Sequence, residues 1–271
     1  MEFTSEMTSW LLLLPYVALV LLLGLECWIP FRSTTQTKFP RVATNLTIAG
    51  SNAVIVNLLF GGLLLAWAQR APSEGWGMLS YMGLGLTGNI VASVLLLDLV
   101  SYGIHRLYHR VPLLWRLHRA HHSDLDIDAT TSLRFHLGES VISVGVKAGS
   151  VAVLGVPWLG LVVYEMAFQI VGLYSHANVC LPDSAERRIR TVIISPQMHW
   201  IHHSRLRVDH NANFGAIFSG WDRVMGTYRV ETRREDIPVG LDEYPLAEHT
   251  TLVPFLQMPF GAACRPGPHG M

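Results

Sequence analysis

The sequence predicts an all-α bundle of about four to five membrane-spanning helices, capped on its cytoplasmic face by a nest of histidines. Three observations predict it. The 271 residues are 50% hydrophobic and only 15% charged, with mean hydropathy +0.33, whereas soluble domains carry roughly 25% charged residues. The apolar residues gather into runs long enough to cross a bilayer, which takes about 20 residues of helix. Most of the 13 histidines fall between residues 105 and 210, in short clusters rather than scattered.

The first span is read at residues 10–29 (WLLLLPYVALVLLLGLECWI), where Glu26 is the one charge. A signal peptide is the weaker rival, because the flank before it is acidic (Glu2, Glu6) and no small-x-small cleavage site follows. A second run covers about 44 to 68, and a third about 78 to 104 with Asp98 near its end. Residues 138–176 are apolar again but broken at Gly155-Val156-Pro157. That length suits a hairpin of two spans with Gly and Pro at the turn. Small residues on the third run (Gly83, Gly85, Gly88, Ala92, Ser93) read as helix-packing contacts rather than channel lining.

The loop 31–43 holds Arg32, Lys38 and Arg41, which the positive-inside rule assigns to the cytoplasm. Counting spans forward then brings 105–137 and everything after about 176 to the same side. The arginines at 187, 188, 190, 205 and 207 agree. We read one domain over 1–261, with a catalytic core at about 90–230, and a disordered tail at 262–271 (AACRPGPHGM from 262). The C-terminal PGPHGM, without a retention signal, is compatible with a bacterial inner membrane; an ER-type membrane stays open. Zero formal net charge gives no reason to expect nucleic acid. Cys27, Cys180 and Cys264 form no C-x-x-C, so neither a thiolate zinc site nor a disulfide framework is indicated.

Three boxes carry the chemistry: His105 and His109; His118, His121 and His122; His199, His202 and His203. Residues three and four apart share a helix face, so each box aims its imidazoles together. Asp98 and Tyr102 lie seven and three residues before His105 and extend its stripe. Neutral imidazole serves zinc, copper and iron alike. Eight histidines in three boxes are too many for one ion and enough for two. Intramembrane histidines are rare and tend to be functional, so a di-metal site outweighs an incidental one. Asp124, Asp126 and Asp128 in SDLDIDA read as a solvated turn rather than a metal loop.

The pattern resembles the fatty acid hydroxylase superfamily, which includes sterol desaturases, C-4 methylsterol oxidases and alkylglycerol monooxygenase. The likeness spans roughly residues 90–230 and includes flanking residues. These are Asp98-x3-Tyr102-x2-His105-Arg106, Leu114-Trp115-x2-His118, Asn213-Phe214-Gly215, and Trp221-Asp222-Arg223-Val224-Met225-Gly226-Thr227-Tyr228. The resemblance implies a four-helix membrane core, two non-haem irons, molecular oxygen as cosubstrate and electrons from outside. The substrate would be a lipid drawn from the bilayer (sterol, fatty acyl or ether lipid), hydroxylated or desaturated. The donor would be a separate cytochrome- or ferredoxin-type protein, since no haem-binding segment is fused here. The resemblance also implies a ninth ligand between the second and third boxes, which His176 matches. His136, in a stretch that departs from the family's at Leu137, is either ligand or ligand support. His210 falls off the box spacing and reads as surface or substrate-side.

Ligating imidazoles usually donate their second N–H to an acceptor. Asp98, Asn178, Asp209, Asn213 and Asp222 are the candidates. Two other classes stay in view. A membrane zinc hydrolase of the H-E-x-x-H type would need glutamate where Arg106 stands. A non-enzymatic haem or lipid-binding protein would need facing histidines at mid-membrane, or incomplete boxes.

Overall fold

The computed structural model describes residues 10–230 and 233–261. The tail expected from 262 lies outside the described residues. Among the described residues, strand-like pairing is limited to isolated bridges, and helices build the protein.

Helix α1 (Leu14–Trp28) is apolar but, at about 22 Å, shorter than the roughly 30 Å hydrocarbon core. Helix α2 (Lys38–Val56) continues through one π-helical turn (Asn57–Gly61) into α3 (Gly62–Glu74). Helix α4 (Leu86–Arg110) is followed by α5 (Pro112–His122), then α6 (Leu137–Leu154) and α7 (Trp158–His176). Four stretches are long and apolar enough to cross a membrane: Lys38–Ala71, Leu86–Arg110, Leu137–Leu154 and Trp158–His176. The predicted all-α membrane bundle is therefore what the chain forms.

The break expected at 155–157 is real. Gly155 ends α6 at φ 70°, in the left-handed region that glycine enters without strain, and the extended Pro157 starts α7. A Cβ on Gly77 would land on the Gly155 backbone, so the two chain segments touch without side chains between them. Leu97, Val151, Leu161 and Tyr164 fill the bundle interior. Ser93 is fully buried against Gly160, which bears out its reading as a packing residue.

The other end of the bundle carries a polar cap, and there the loop cations have internal partners. Arg41 donates to Asp124 (3.1 Å), to the Asp126 carbonyl (2.6 Å) and to Asp128. Arg32 donates to the carbonyls of Ile237, Arg234 and Glu235. These arginines knit loop 31–43 to the cap rather than facing solvent. The SDLDIDA segment is likewise not a solvated turn: Asp124, Asp126 and Asp128 are all buried. Their charge is matched by Arg41, by the Thr35, Gln36 and Thr130 amides, and for Asp124 by Arg134.

Candidate metal centre

Two helix ends and two short helices deliver the histidines. His105 and His109 occupy the last turns of α4. The chain then turns at Val111, and Pro112, at the first position of α5, starts a new helix because its fixed φ suits that place. α5 is little more than the second box, with His118, His121 and His122 on its buried side. His176 ends α7. After α8 (Asp183–Ile189), Ser195 caps α9 (Pro196–His202) by accepting from the Met198 amide, and His199, His202 and then His203 follow.

The nine histidines come together as two adjoining nests. One holds His105, His109, His118, His122 and His202; the other holds His121, His176, His199 and His203. Within each nest the potential ligand atoms lie within 4.8 Å of one another. The nests share a wall, since the His122 and His203 rings stack at 4.3 Å. Several ring nitrogens point at each other: His118 and His122 Nε2 at 3.1 Å, His176 and His199 Nε2 at 2.9 Å, His199 and His203 Nε2 at 3.2 Å. Neighbouring ligands of one ion, with bonds of about 2.0–2.1 Å, sit roughly 3.0–3.4 Å apart, so these spacings fit a shared cation. His105 Nε2, His202 Nε2 and both nitrogens of His109 are buried with no partner among the described residues. Buried polar atoms normally find one. Both nests are able to hold a metal ion.

The opposite ring nitrogens explain how the lone pairs are aimed. His118 Nδ1–H donates to Glu139 Oε1 at 2.6 Å. His105, His202 and His176 donate through Nδ1 to the carbonyls of Phe214 (2.9 Å), Ala212 (2.8 Å) and Gly172 (2.8 Å). Each bond fixes the tautomer and leaves Nε2 bare for a metal. Burial first, and neighbouring imidazoles second, hold His118, His121, His122, His199, His202 and His203 well below the ordinary histidine value. These rings are therefore neutral donors near pH 7.

Most of the acceptors expected from sequence work one step further out. Among the described residues Asp98 hydrogen-bonds to no histidine. It accepts from the amides of Ile217 (2.9 Å) and Phe218 (3.0 Å) and from Trp221 Nε1 (2.8 Å). Asp222 accepts from the Phe214 and Gly215 amides and from Thr227 Oγ1. Asn213, at φ 56°, donates to the carbonyls of Met198 and Arg229. Together these three shape the 213–221 loop, whose Phe214 carbonyl orients His105. Asp209 pairs with Arg229. Asn178 ties to the Arg32 backbone instead of to a ring. Their short side chains are consumed by backbone and side-chain partners that are mostly distant in sequence, which sequence spacing does not reveal.

His136 stands outside both nests. Its Nδ1 accepts from the Gly138 amide as the N-cap of α6, and its Nε2–H donates to the Leu256 carbonyl. His210 sits closer than expected. Its ring centroid lies 4.6 Å from His109, 4.7 Å from Trp115 and 4.8 Å from His122. Burial and the nearby Arg207 push it down to about 4. Sequence reasoning missed the orienting Glu139, and read His210 as surface or substrate-side where the structure sets it against the five-histidine nest. An acid at the mouth of an apolar run was the available signal for Glu139.

An apolar cavity of about 320 Å³ lies under the nests, between α4, α6 and α7. His105, His118, His121, His176 and His199 face it, with Leu97, Val100, Ile104 and Val144 among its walls. A groove along α4 and α6 shares Val100 and Val146 with the cavity and reaches the exposed Val153.

Comparison with known proteins agrees with this geometry. The chain is 28% identical over 157 residues (56% of this chain, 45% of the relative) to ornithine lipid hydroxylase OlsE of Rhizobium tropici. It is 26% identical over 140 residues (51% and 30%) to the alkylglycerol monooxygenase of Homo sapiens. To the human cholesterol 25-hydroxylase it is 27% identical over 180 residues (64% and 62%). The chain thus spans from under a third to under two thirds of the length of these curated relatives. No solved structure matches it. The fatty acid hydroxylase family model matches residues 90–227, from near the start of α4 to Thr227, and so takes in all nine histidines of the two nests. By that match, over half its length, the chain belongs to the fatty acid hydroxylase family.

Proposed function

We propose that the protein is a membrane-bound, di-iron, oxygen-dependent oxidoreductase that hydroxylates a C–H bond of a lipid. The observation that carries this reading is the pair of adjoining all-imidazole nests, of five and four histidines, opening onto an apolar cavity between spanning helices. Insertion of oxygen is preferred over desaturation because the relatives are named as hydroxylases and a monooxygenase.

His105, His109, His118, His122 and His202 would hold one iron, and His121, His176, His199 and His203 the other. When bound, the iron pair supplies the electron storage and oxygen activation that oxidation of an unactivated C–H bond requires. The protein's contribution is positional. Glu139 and the carbonyls of Phe214, Ala212 and Gly172 fix the rings. The walls at Leu97, Val100, Ile104 and Val144 exclude water and hold an apolar chain beneath the histidines. The substrate enters sideways from the bilayer along the α4–α6 groove.

The cap faces the cytoplasm, of a bacterial inner membrane or an ER-type membrane. The exposed Arg187 and Arg188 on α8 offer a basic surface to an acidic cytochrome- or ferredoxin-type donor.

Metal analysis of the purified protein tests the reading. About two irons per chain are expected, with oxygen uptake coupled to lipid oxidation. His122→Ala and His199→Ala should each lose metal from its own nest. Stoichiometric zinc with hydrolysis and no oxygen uptake would overturn it.

A further inference from the structure

The cavity beneath the histidines is mostly apolar, and one polar place on its wall stands apart. Lys147, in the middle of α6, and Gln169, on α7, both line it. Lys147 Nζ donates to Glu165 Oε1 at 2.7 Å and lies 5.6 Å and 5.4 Å from the ring centroids of Tyr164 and Phe168. Among the described residues the Gln169 side-chain amide makes no hydrogen bond. Other polar side chains at the cavity are satisfied in pairs: Ser101 with Tyr164 at 2.6 Å, Ser143 with Tyr108 at 2.9 Å, and Ser140 with Asn52 at 3.2 Å. An ionisable group and an idle amide inside spanning helices are costly unless something polar meets them.

Their position is set by helix rise. Lys147 lies eight residues beyond Glu139, the partner of His118, so about 12 Å along α6 from the five-histidine nest. Gln169 precedes His176 by seven residues, about 10 Å along α7. The polar place and the reactive end therefore sit at opposite ends of one cavity.

We propose that Lys147 and Gln169 form a receptor for an uncharged oxygen function, a hydroxyl or a carbonyl, on the substrate. This rests on the lipid-oxidation reading and narrows it. The substrate carries an oxygen group remote from the carbon that is oxidised, and is not a bare hydrocarbon tail. Glu165 cancels the lysine's charge, so the site suits a neutral acceptor. The ammonium has N–H donors beyond the one given to Glu165, and the free amide can donate or accept. Anchoring one end at a fixed distance also fixes which carbon lies beneath the histidines, so this pair determines where on the lipid oxidation falls.

The test compares hexadecane, 1-hexadecanol and hexadecanoic acid at equal mole fraction in nanodiscs holding the purified enzyme. Binding is read from the thermal midpoint and the apparent dissociation constant. The variants are Gln169→Leu and the paired Lys147→Met/Glu165→Leu, which leaves no lone charge in the span. In the wild type the alcohol should bind about tenfold tighter than the alkane. Both variants should erase that preference while keeping metal content. In the variants, oxidation of the alcohol should also spread over several carbons. Equal binding of alcohol and alkane, a preference for the acid, or an unchanged preference in both variants would each overturn the proposal. Iron content and oxygen uptake of the wild type are scored separately. Failure there sinks the oxidation reading, while the binding comparison still judges the polar receptor.

Discussion

Glu139 accepts the Nδ1–H of His118 at 2.6 Å, and both side chains are buried. One sits at the mouth of a spanning helix and the other on the cap, so this bond couples the membrane bundle to the five-histidine nest. Replacing the carboxyl acceptor by an amide weakens the hold on His118 and lowers its basicity as a ligand. Glu139→Gln should reduce metal affinity about 10–100-fold. Competition with a calibrated chelator measures it. An unchanged affinity would show that the bond is incidental to metal binding.

Asp98 acts through a loop rather than on a ring. Asp98→Asn removes a charge that meets three N–H donors, and turns one acceptor into a donor facing them. The loss should be about 1–3 kcal/mol. Thermal unfolding should begin several degrees lower, with a partial loss of activity as the Phe214 carbonyl drifts from His105. A wild-type melting curve would contradict this account of the loop.

Acid should destabilise the metal-free protein. The folded cap keeps His118, His121, His122, His199, His202 and His203 below the ordinary histidine value, and His210 at about 4. The unfolded chain takes up protons near pH 6.5. Below that pH the unfolded state binds more protons than the folded one. Stability is therefore full above about pH 6.5 and falls as pH drops toward the folded values, by up to about 1.4 kcal/mol per pH unit for each histidine. The unfolding midpoint of apoprotein from pH 8 to pH 5 measures this; a flat profile would contradict it.

Val146 belongs to both the cavity and the groove that leads to it. Val146→Phe should narrow the passage, raise KM for a lipid substrate several-fold and leave metal content alone. A change in metal content without a change in KM would relocate the substrate's route.

Four of the spans, the hairpin break at Gly155 and the meeting of the boxes could be read from sequence, because they rest on periodicity and on residue type, whereas the run at 10–29 forms a helix too short to count among them. Helical spacing aims His105 with His109, and His118 with His122, whatever the rest of the chain does. The supports could not be read in this way. Asp98 and Asp222 looked like ring acceptors because they are acids near the boxes. The fold spends them on backbone amides some 120 and 8 residues away in sequence. Asp124, Asp126 and Asp128 looked solvated because their partner Arg41 lies more than 80 residues earlier. Pairing of that kind depends on tertiary closeness, which local pattern does not carry.

Each nest draws at least one member from the segment His199–His203, and the other members lie as far back as His105. Neither coordination sphere is complete until the chain has been made past residue 203. Any metal held by the full nests is thus captured late in biogenesis, after all four spans are inserted. A ribosome stalled before that point would leave a bundle with the right topology and only partial donor sets, open to whichever ion the compartment supplies first.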